Sequence, residues 1–182
     1  MRKILAIILT LAMLFTVASC GTTDIEVTTY NTSSPYGSKV RFSTQDRNGT
    51  AYDESIFADH TLTMINFWEP WCGPCVNEIP DLARLYNVYK DKGLLIVGVY
   101  QEKGMEGDVD NLINKNYVQY PMLRYTSDFD RFYTGSVPTS IFVDSKGKLV
   151  DFGYNKTEKG DPCVIGSADY NTWENMIKGY LG

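Results

Sequence analysis

The stretch Trp71-Cys72-Gly73-Pro74-Cys75 decides the fold prediction, because two cysteines separated by Gly-Pro form a reactive dithiol between a strand and a helix. The apolar run Leu62 to Trp68 predicts a buried strand before it, and Pro74 suits the first turn of a helix. Apolar residues then recur at helical spacing, namely Val76, Ile79, Ala83, Tyr86 and Tyr89. We therefore expect Cys72 at the helix N-terminus, where the helix dipole favours a thiolate and makes this sulfur the nucleophile.

A zinc site and an inert structural disulfide are the two alternatives for this cysteine pair. Zinc takes about four protein ligands in a structural site. Beyond the pair, the chain after position 20 offers one thiol, Cys163, and one histidine, His60. A disulfide that closes so short a loop stabilises a fold little. Both alternatives fit the sequence less well than a redox pair, and we expect no metal and no organic cofactor.

The segment from Phe67 to Cys75 resembles the active-site signature of thioredoxin-fold proteins. Pro80 lies five residues after the second cysteine, where thioredoxins have a helix-kinking proline. The run Ser136-Val137-Pro138-Thr139 looks like the cis-proline loop of that family. The segment from Lys39 to Trp68, with Asn48-Gly49 as a hairpin turn, resembles the N-terminal extension of the TlpA/ResA branch of membrane-tethered thiol-disulfide oxidoreductases.

This resemblance covers roughly residues 36 to 182 and implies an α/β thioredoxin fold with an N-terminal β-hairpin extension and a central insert between core strands. We assign residues 39–182 to that thioredoxin-like domain. Expected elements after the first helix, in chain order, are a strand Leu94–Tyr100, an insert with a helix Asp108–Asn116, a strand Met122–Tyr125 and a helix Asp128–Tyr133, then strands Thr139–Asp144 and Leu149–Tyr154 and a closing helix Tyr170–Tyr180.

The N-terminal sequence predicts export and a lipid anchor. Arg2-Lys3 precede an apolar run to Val17 that is short for a membrane span and typical of a signal-peptide core. The run ends in Val17-Ala18-Ser19-Cys20, which resembles a bacterial lipobox. We therefore predict a signal peptide at 1–19, lipidation of Cys20 and a flexible tether over 20–38, rich in Thr, Ser and Asn. An uncleaved anchor and ordinary secretion are the alternatives.

The charge balance argues against some partners. The chain carries a net charge of −5, and loss of Arg2 and Lys3 with the signal peptide would leave −7. Nucleic acid would repel such a domain, so no nucleic-acid partner is expected.

From the predicted signal peptide and lipid anchor, the predicted location is the extracytoplasmic face of a bacterial cell membrane.

Thiol chemistry gives the expected mechanism. The Cys72 thiolate attacks a partner disulfide, and Cys75 then attacks Cys72 to release the reduced partner. The family resemblance implies that Glu78 deprotonates Cys75, because Asn66 stands where thioredoxins have a buried aspartate. A solvated first-turn acid is the alternative for Glu78. The expected substrate-binding residues flank the dithiol, namely Trp71, Gly73, Pro74, Val137 and Pro138.

The resemblance implies an oxidoreductase that reduces disulfides of exported proteins, such as apocytochrome c or a methionine sulfoxide reductase. Its electrons would come from a membrane donor of the CcdA type. A copper metallochaperone of the same fold is one alternative, although those proteins generally use a downstream histidine and none follows His60. A non-catalytic binding lipoprotein is another. Cys163 is expected to be buried and inert, with a third redox-active thiol as its alternative.

Overall fold

The computed structural model describes residues 39–182. The predicted signal peptide, the lipidation site and the tether lie outside these residues. The described chain begins with a short antiparallel hairpin made of β1 (Ser43–Gln45) and β2 (Ala51–Asp53). Its turn contains Gly49 at φ 85°, a backbone conformation that glycine adopts without strain. The hairpin predicted from Asn48-Gly49 is therefore present.

A seven-stranded sheet forms the centre of the molecule. Its strands are β3 (Leu62–Phe67), β4 (Leu94–Tyr100), β5 (Met122–Arg124), β6 (Thr139–Asp144), β7 (Leu149–Val150), β8 (Asn155–Lys156) and β9 (Pro162–Ile165). The order across the sheet is β5-β4-β3-β6-β9-β8, and β7 pairs with β6. Strands β3, β4 and β5 run parallel, whereas β6 is antiparallel to β3. Every residue of β3 and β4 is buried, as expected for strands covered on both faces.

Among the described residues, three α-helices accompany the sheet: α1 (Gly73–Tyr89), α2 (Glu106–Lys115) and α3 (Tyr170–Leu181). Short 3-10 helices occupy Glu54–Phe57, Lys90–Lys92 and Ser127–Phe132. Side chains from alternate positions of β3 and β4 belong to two separate core clusters, one on each face of the sheet. The first cluster contains both cysteines of the dithiol together with Trp68 and Trp173. The second contains Phe67, Phe129 and Cys163.

Two predicted elements after the dithiol helix were wrong in extent or type. The strand expected over Leu149–Tyr154 ends at Val150, because a turn follows in which Asp151 Oδ1 accepts the N–H of Gly153 at φ 81°. The helix expected over Asp128–Tyr133 is the 3-10 helix Ser127–Phe132. The pairing of β8 with β9 was not predicted. The other predicted helices and strands are present, with boundaries that differ from the prediction by at most two residues.

Within residues 39–182, no helix is both long and apolar enough to cross a membrane.

Candidate active site

Cys72 and Cys75 lie where the loop after β3 enters α1. Cys72 is the N-cap residue of the helix, with extended backbone angles of φ −85° and ψ 103°. Its Sγ accepts the backbone N–H of Cys75 at 3.2 Å, and the two sulfurs form a disulfide of 2.05 Å. Cys72 is 6% exposed and Cys75 is fully buried. The sulfur at the helix start is therefore the more accessible of the two, and the first-turn amides favour its negative charge.

The loop before β6 contacts the dithiol from the other side. The Val137–Pro138 peptide bond is cis, as predicted. The carbonyl oxygen of Val137 lies 3.5 Å from Sγ of Cys72. The carbonyl oxygen of Pro138 accepts the N–H of Gly166 at 2.8 Å, so the segment after β9 supports this loop. An incoming chain would meet the Val137 backbone beside the reactive sulfur.

An open groove with a volume of about 160 Å³ lies next to this contact. Trp71 and Val137 line it on the dithiol side, and Tyr125, Phe132 and Tyr133 line it elsewhere. Trp71 is 61% exposed, although large aromatic side chains are usually buried. Trp71, Gly73 and Pro74 adjoin the dithiol in the chain, and Val137 lies beside it, with Pro138 itself buried. Their role in partner binding stays a prediction.

Glu78 is buried one helical turn after Cys75, with only 2% of its surface exposed. That burial excludes the alternative of a solvated first-turn acid. Removal from water raises the pKa of Glu78 to about 7, and hydrogen bonds from Asn66 and Ala168 partly oppose this shift. A carboxyl group with a pKa near neutrality can both accept and release a proton under ordinary conditions.

The sequence did not indicate which groups hold this buried carboxylate. Asn66 Nδ2 donates to Glu78 Oε1 at 3.0 Å and to Ser140 Oγ at 3.1 Å. The backbone N–H of Ala168 donates to Glu78 Oε2 at 3.3 Å. Ser140 lies in no sequence motif. It could have been recognised as a site residue only from the pairing of β3 with β6, which places it opposite Asn66.

Cys163 is free and buried, but its side chain belongs to the core cluster on the sheet face opposite the dithiol. Burial raises the pKa of its thiol, which lowers the thiolate fraction at neutral pH. His60 is half-buried, and its Nδ1 lies 2.9 Å from the carbonyl oxygen of Ile56. In the described part of the chain, no three His, Cys, Asp or Glu side chains gather as metal ligands.

Comparison with known protein families shows which family this chain belongs to. The model of the AhpC/TSA family matches residues 37–152. The chain belongs to the AhpC/TSA family. Among curated relatives, the thiol-disulfide oxidoreductase ResA of Bacillus cereus is 32% identical over an alignment of 95 residues, and the match covers 48% of this chain and 51% of the relative. ResA of Oceanobacillus iheyensis is 35% identical over 88 residues, 47% of this chain and 45% of the relative. The chain thus spans about half the length of the curated relatives it matches.

Solved structures support the same fold. A thiol:disulfide interchange protein of the thioredoxin family from Chlorobium tepidum TLS aligns with a TM-score of 0.64 and 21% identity, covering 79% of this chain and 95% of that one. StoA from Bacillus subtilis aligns with a TM-score of 0.56 and 20% identity, covering 76% of this chain and 97% of StoA. The predicted thioredoxin fold and the resemblance to the ResA branch are confirmed.

Proposed function

We propose that this chain is a thiol-disulfide oxidoreductase that works on the extracytoplasmic face of a bacterial membrane. The observation that carries the proposal is the Cys72–Cys75 pair at the start of α1, with the Val137 carbonyl 3.5 Å from the Cys72 sulfur. The naming of the ResA relatives supports the same reaction class. The reduced Cys72–Cys75 dithiol itself carries the two electrons, so the proposed reaction needs no further cofactor.

In the proposed reaction, reduced Cys72 attacks a disulfide of the partner as a thiolate. A bond forms between Cys72 and one partner sulfur, and the other partner sulfur leaves with the electron pair of the broken disulfide. Cys75 then loses its proton and attacks Cys72, which releases the second partner sulfur and leaves the enzyme disulfide. The partner gains two electrons and the enzyme loses two.

Glu78 is the proposed base for Cys75, which has no access to water. The two residues are three positions apart on α1, so they lie on the same side of the helix. A pKa of about 7 lets the Glu78 carboxylate take the thiol proton and lose it again in the same cycle. Trp71, Gly73, Pro74, Val137 and Pro138 are the proposed partner-binding residues around this pair.

Exported proteins with disulfides are the proposed substrates, with apocytochrome c and methionine sulfoxide reductase as the specific candidates. A membrane protein of the CcdA type is the proposed electron donor. The Gly-Pro sequence between the cysteines is shared with thioredoxin, whose potential is near −270 mV, whereas that of the oxidant DsbA is near −120 mV. This similarity favours the reducing direction.

Replacing Cys75 with serine tests this proposal and identifies the partner. Serine cannot carry out the second thiol exchange, so Cys72 is expected to stay joined to its partner in a mixed disulfide. Non-reducing electrophoresis and mass spectrometry of the trapped species read out the result. An apocytochrome or a methionine sulfoxide reductase would support a reductase, whereas a broad set of newly exported reduced proteins would favour an oxidase or an isomerase. Capture of the same proteins by the Cys72→Ser, Cys75→Ser double variant would contradict the assignment of Cys72.

Cys20 is the proposed site of lipid attachment, at the end of the lipobox-like segment. A thioether that carries two acyl chains would hold the domain at the membrane, since two chains give stable anchoring. Radiolabelled palmitate is expected to enter the wild-type protein in a bacterial host, and Cys20→Ala is expected to abolish both labelling and membrane retention. Cys163→Ala is the matched control and should label as the wild type does. Correctly cleaved wild-type protein found only in the soluble fraction would refute the anchor.

A further inference from the structure

The buried hydrogen bonds around Glu78 join three elements of the fold. Asn66 on β3 donates from one amide nitrogen to Glu78 on α1 and to Ser140 on β6, at 3.0 and 3.1 Å. The three side chains are exposed by no more than 3%. Asn66 and Ser140 are direct partners in the register of β3 and β6, so the sheet itself fixes their spacing. Water does not compete with these bonds.

The Asn66 amide and the Ser140 hydroxyl can form hydrogen bonds that suit either charge state of the Glu78 carboxyl group. While Glu78 is ionised, the Asn66 NH₂ group donates to Glu78 and to Ser140, as observed. When Glu78 is protonated, a half-turn of the amide brings its oxygen to the same place. That oxygen then accepts one hydrogen bond from the Glu78 O–H and one from the Ser140 O–H, because a hydroxyl group both donates and accepts. An aspartate at position 66 would have no N–H to offer ionised Glu78.

We propose that Asn66 and Ser140 are positioning residues that let Glu78 take a proton from Cys75 and release it again while it stays buried. The inference rests on the proposed role of Glu78 as the base. In that step the S–H bond of Cys75 breaks and an O–H bond forms on Glu78. The electron pair left on the Cys75 sulfur then attacks Cys72 of the mixed disulfide, and the bond from Cys72 to the partner breaks.

Without the pair, one charge state of Glu78 would be left with an unpaired polar group in the core. Such a group costs free energy comparable to a lost hydrogen bond, and more when it is charged. The pKa of Glu78 would then move away from neutrality, and the group could no longer both accept and release a proton in one cycle. Asn66 and Ser140 therefore act on the charge of Glu78 and not on the cysteines themselves.

The other groups that face Glu78 stay the same in the variants described next. Asp81 on the same helix raises the pKa of Glu78 by like-charge repulsion, and Glu78 in turn raises the pKa of buried Tyr120. From α3, the indole N–H of Trp173 favours the carboxylate, although it makes no hydrogen bond of normal geometry. Differences among the variants thus report the hydrogen bonds of Asn66 and Ser140.

A titration of the Glu78 carboxyl carbon tests the inference directly. The full-length protein with ¹³C-labelled glutamate would be followed by NMR, with the Glu78 signal assigned by its loss in Glu78→Gln. Asn66→Ala is expected to raise the pKa of Glu78 by about one unit, since a donor to the charged form is lost. Ser140→Ala should shift it less in the same direction, and Ser140→Thr, which keeps the hydroxyl, should restore the wild-type value. Thr63→Val is the control, because Thr63 is buried on the same strand and its hydroxyl has no partner in the described residues.

The pH profile of partner release gives a second measurement. We expect the profile to move to higher pH by the same amount as the pKa of Glu78 in each variant, with the Thr63→Val profile unchanged. An unchanged pKa in Ser140→Ala, whose loss of one oxygen is the mildest of these changes, would overturn the inference even if Asn66→Ala failed to fold. A shifted pKa with an unshifted release profile would contradict Glu78 as the base and leave the hydrogen-bond role in place.

Discussion

Replacing Cys72 with serine is expected to lower the rate of insulin reduction by at least about a thousandfold, because the nucleophile of the first exchange is lost. The measurement is the precipitation of insulin chains in the presence of dithiothreitol, compared with the rate without protein. Cys163→Ala is the matched control, since this thiol is buried in the core cluster away from the dithiol. The control variant should keep the wild-type rate.

The same assay separates the proposed reductase from the alternatives that the sequence left open. A copper metallochaperone or a non-catalytic binding lipoprotein would precipitate insulin little faster than dithiothreitol alone, even with both cysteines intact. A wild-type protein that behaves in this way would contradict the proposed activity. Equal loss of rate in Cys163→Ala and Cys72→Ser would instead contradict the assignment of the nucleophile.

The sequence predicted the elements around the dithiol well because several local signals agree there. The apolar run that became β3, the proline in the first turn of α1 and the cysteine spacing all indicate one strand-to-helix junction. The cis Val137–Pro138 bond was also expected, but from family resemblance, since no local pattern distinguishes it from an ordinary turn. Local signals therefore predicted that the two cysteines lie at the start of a helix, and family resemblance predicted the cis-proline loop that faces them.

The sequence failed where structure depends on contacts that are distant along the chain. The segment after Val150 reads as a continued strand, yet Asp151 and Gly153 form a turn and the chain then pairs with itself as β8 and β9. The short polar strand Asn155–Lys156 has no alternating pattern of its own, and its pairing with β9 alone defines it. Such strands cannot be recognised before the partner is known.

In the candidate site, too, the sequence indicated what depends on local position and not what depends on contacts between distant parts of the chain. The position of Glu78 after Cys75 indicates its role but does not predict its burial, because a glutamate near the start of a helix is usually solvated. Burial follows from α3 and β3 packing around it, as the contacts with Trp173 and Asn66 indicate. Ser140 was missed entirely, because its role depends on the register between two strands more than 70 positions apart.

The buried Glu78 carboxyl group also makes the free energy of unfolding depend on pH. Burial raises its pKa from 4.5 to about 7, so the folded protein binds this proton more tightly than the unfolded chain does. The stability that this group contributes is fully present below about pH 4.5 and is lost as the pH rises through about 7. A shift of this size corresponds to about 3 kcal/mol, an upper bound for the loss at pH 8.

Replacing Glu78 with glutamine is therefore expected to stabilise the protein at pH 8 and to slow partner release. Glutamine is neutral at every pH, so the free energy of unfolding should exceed that of the wild type by about 1–3 kcal/mol at pH 8 and differ little at pH 4.5. Urea unfolding at both pH values measures the difference.

Glu158→Gln is the matched control, since Glu158 is an exposed glutamate in the loop between β8 and β9. Its stability should follow that of the wild type at both pH values. A Glu78→Gln difference that is the same at pH 4.5 and pH 8 would mean that folding leaves the pKa of Glu78 unchanged. Stabilisation at pH 8 together with slower release of the mixed disulfide would instead show that the fold retains a destabilising acid because the second thiol exchange needs a base beside buried Cys75.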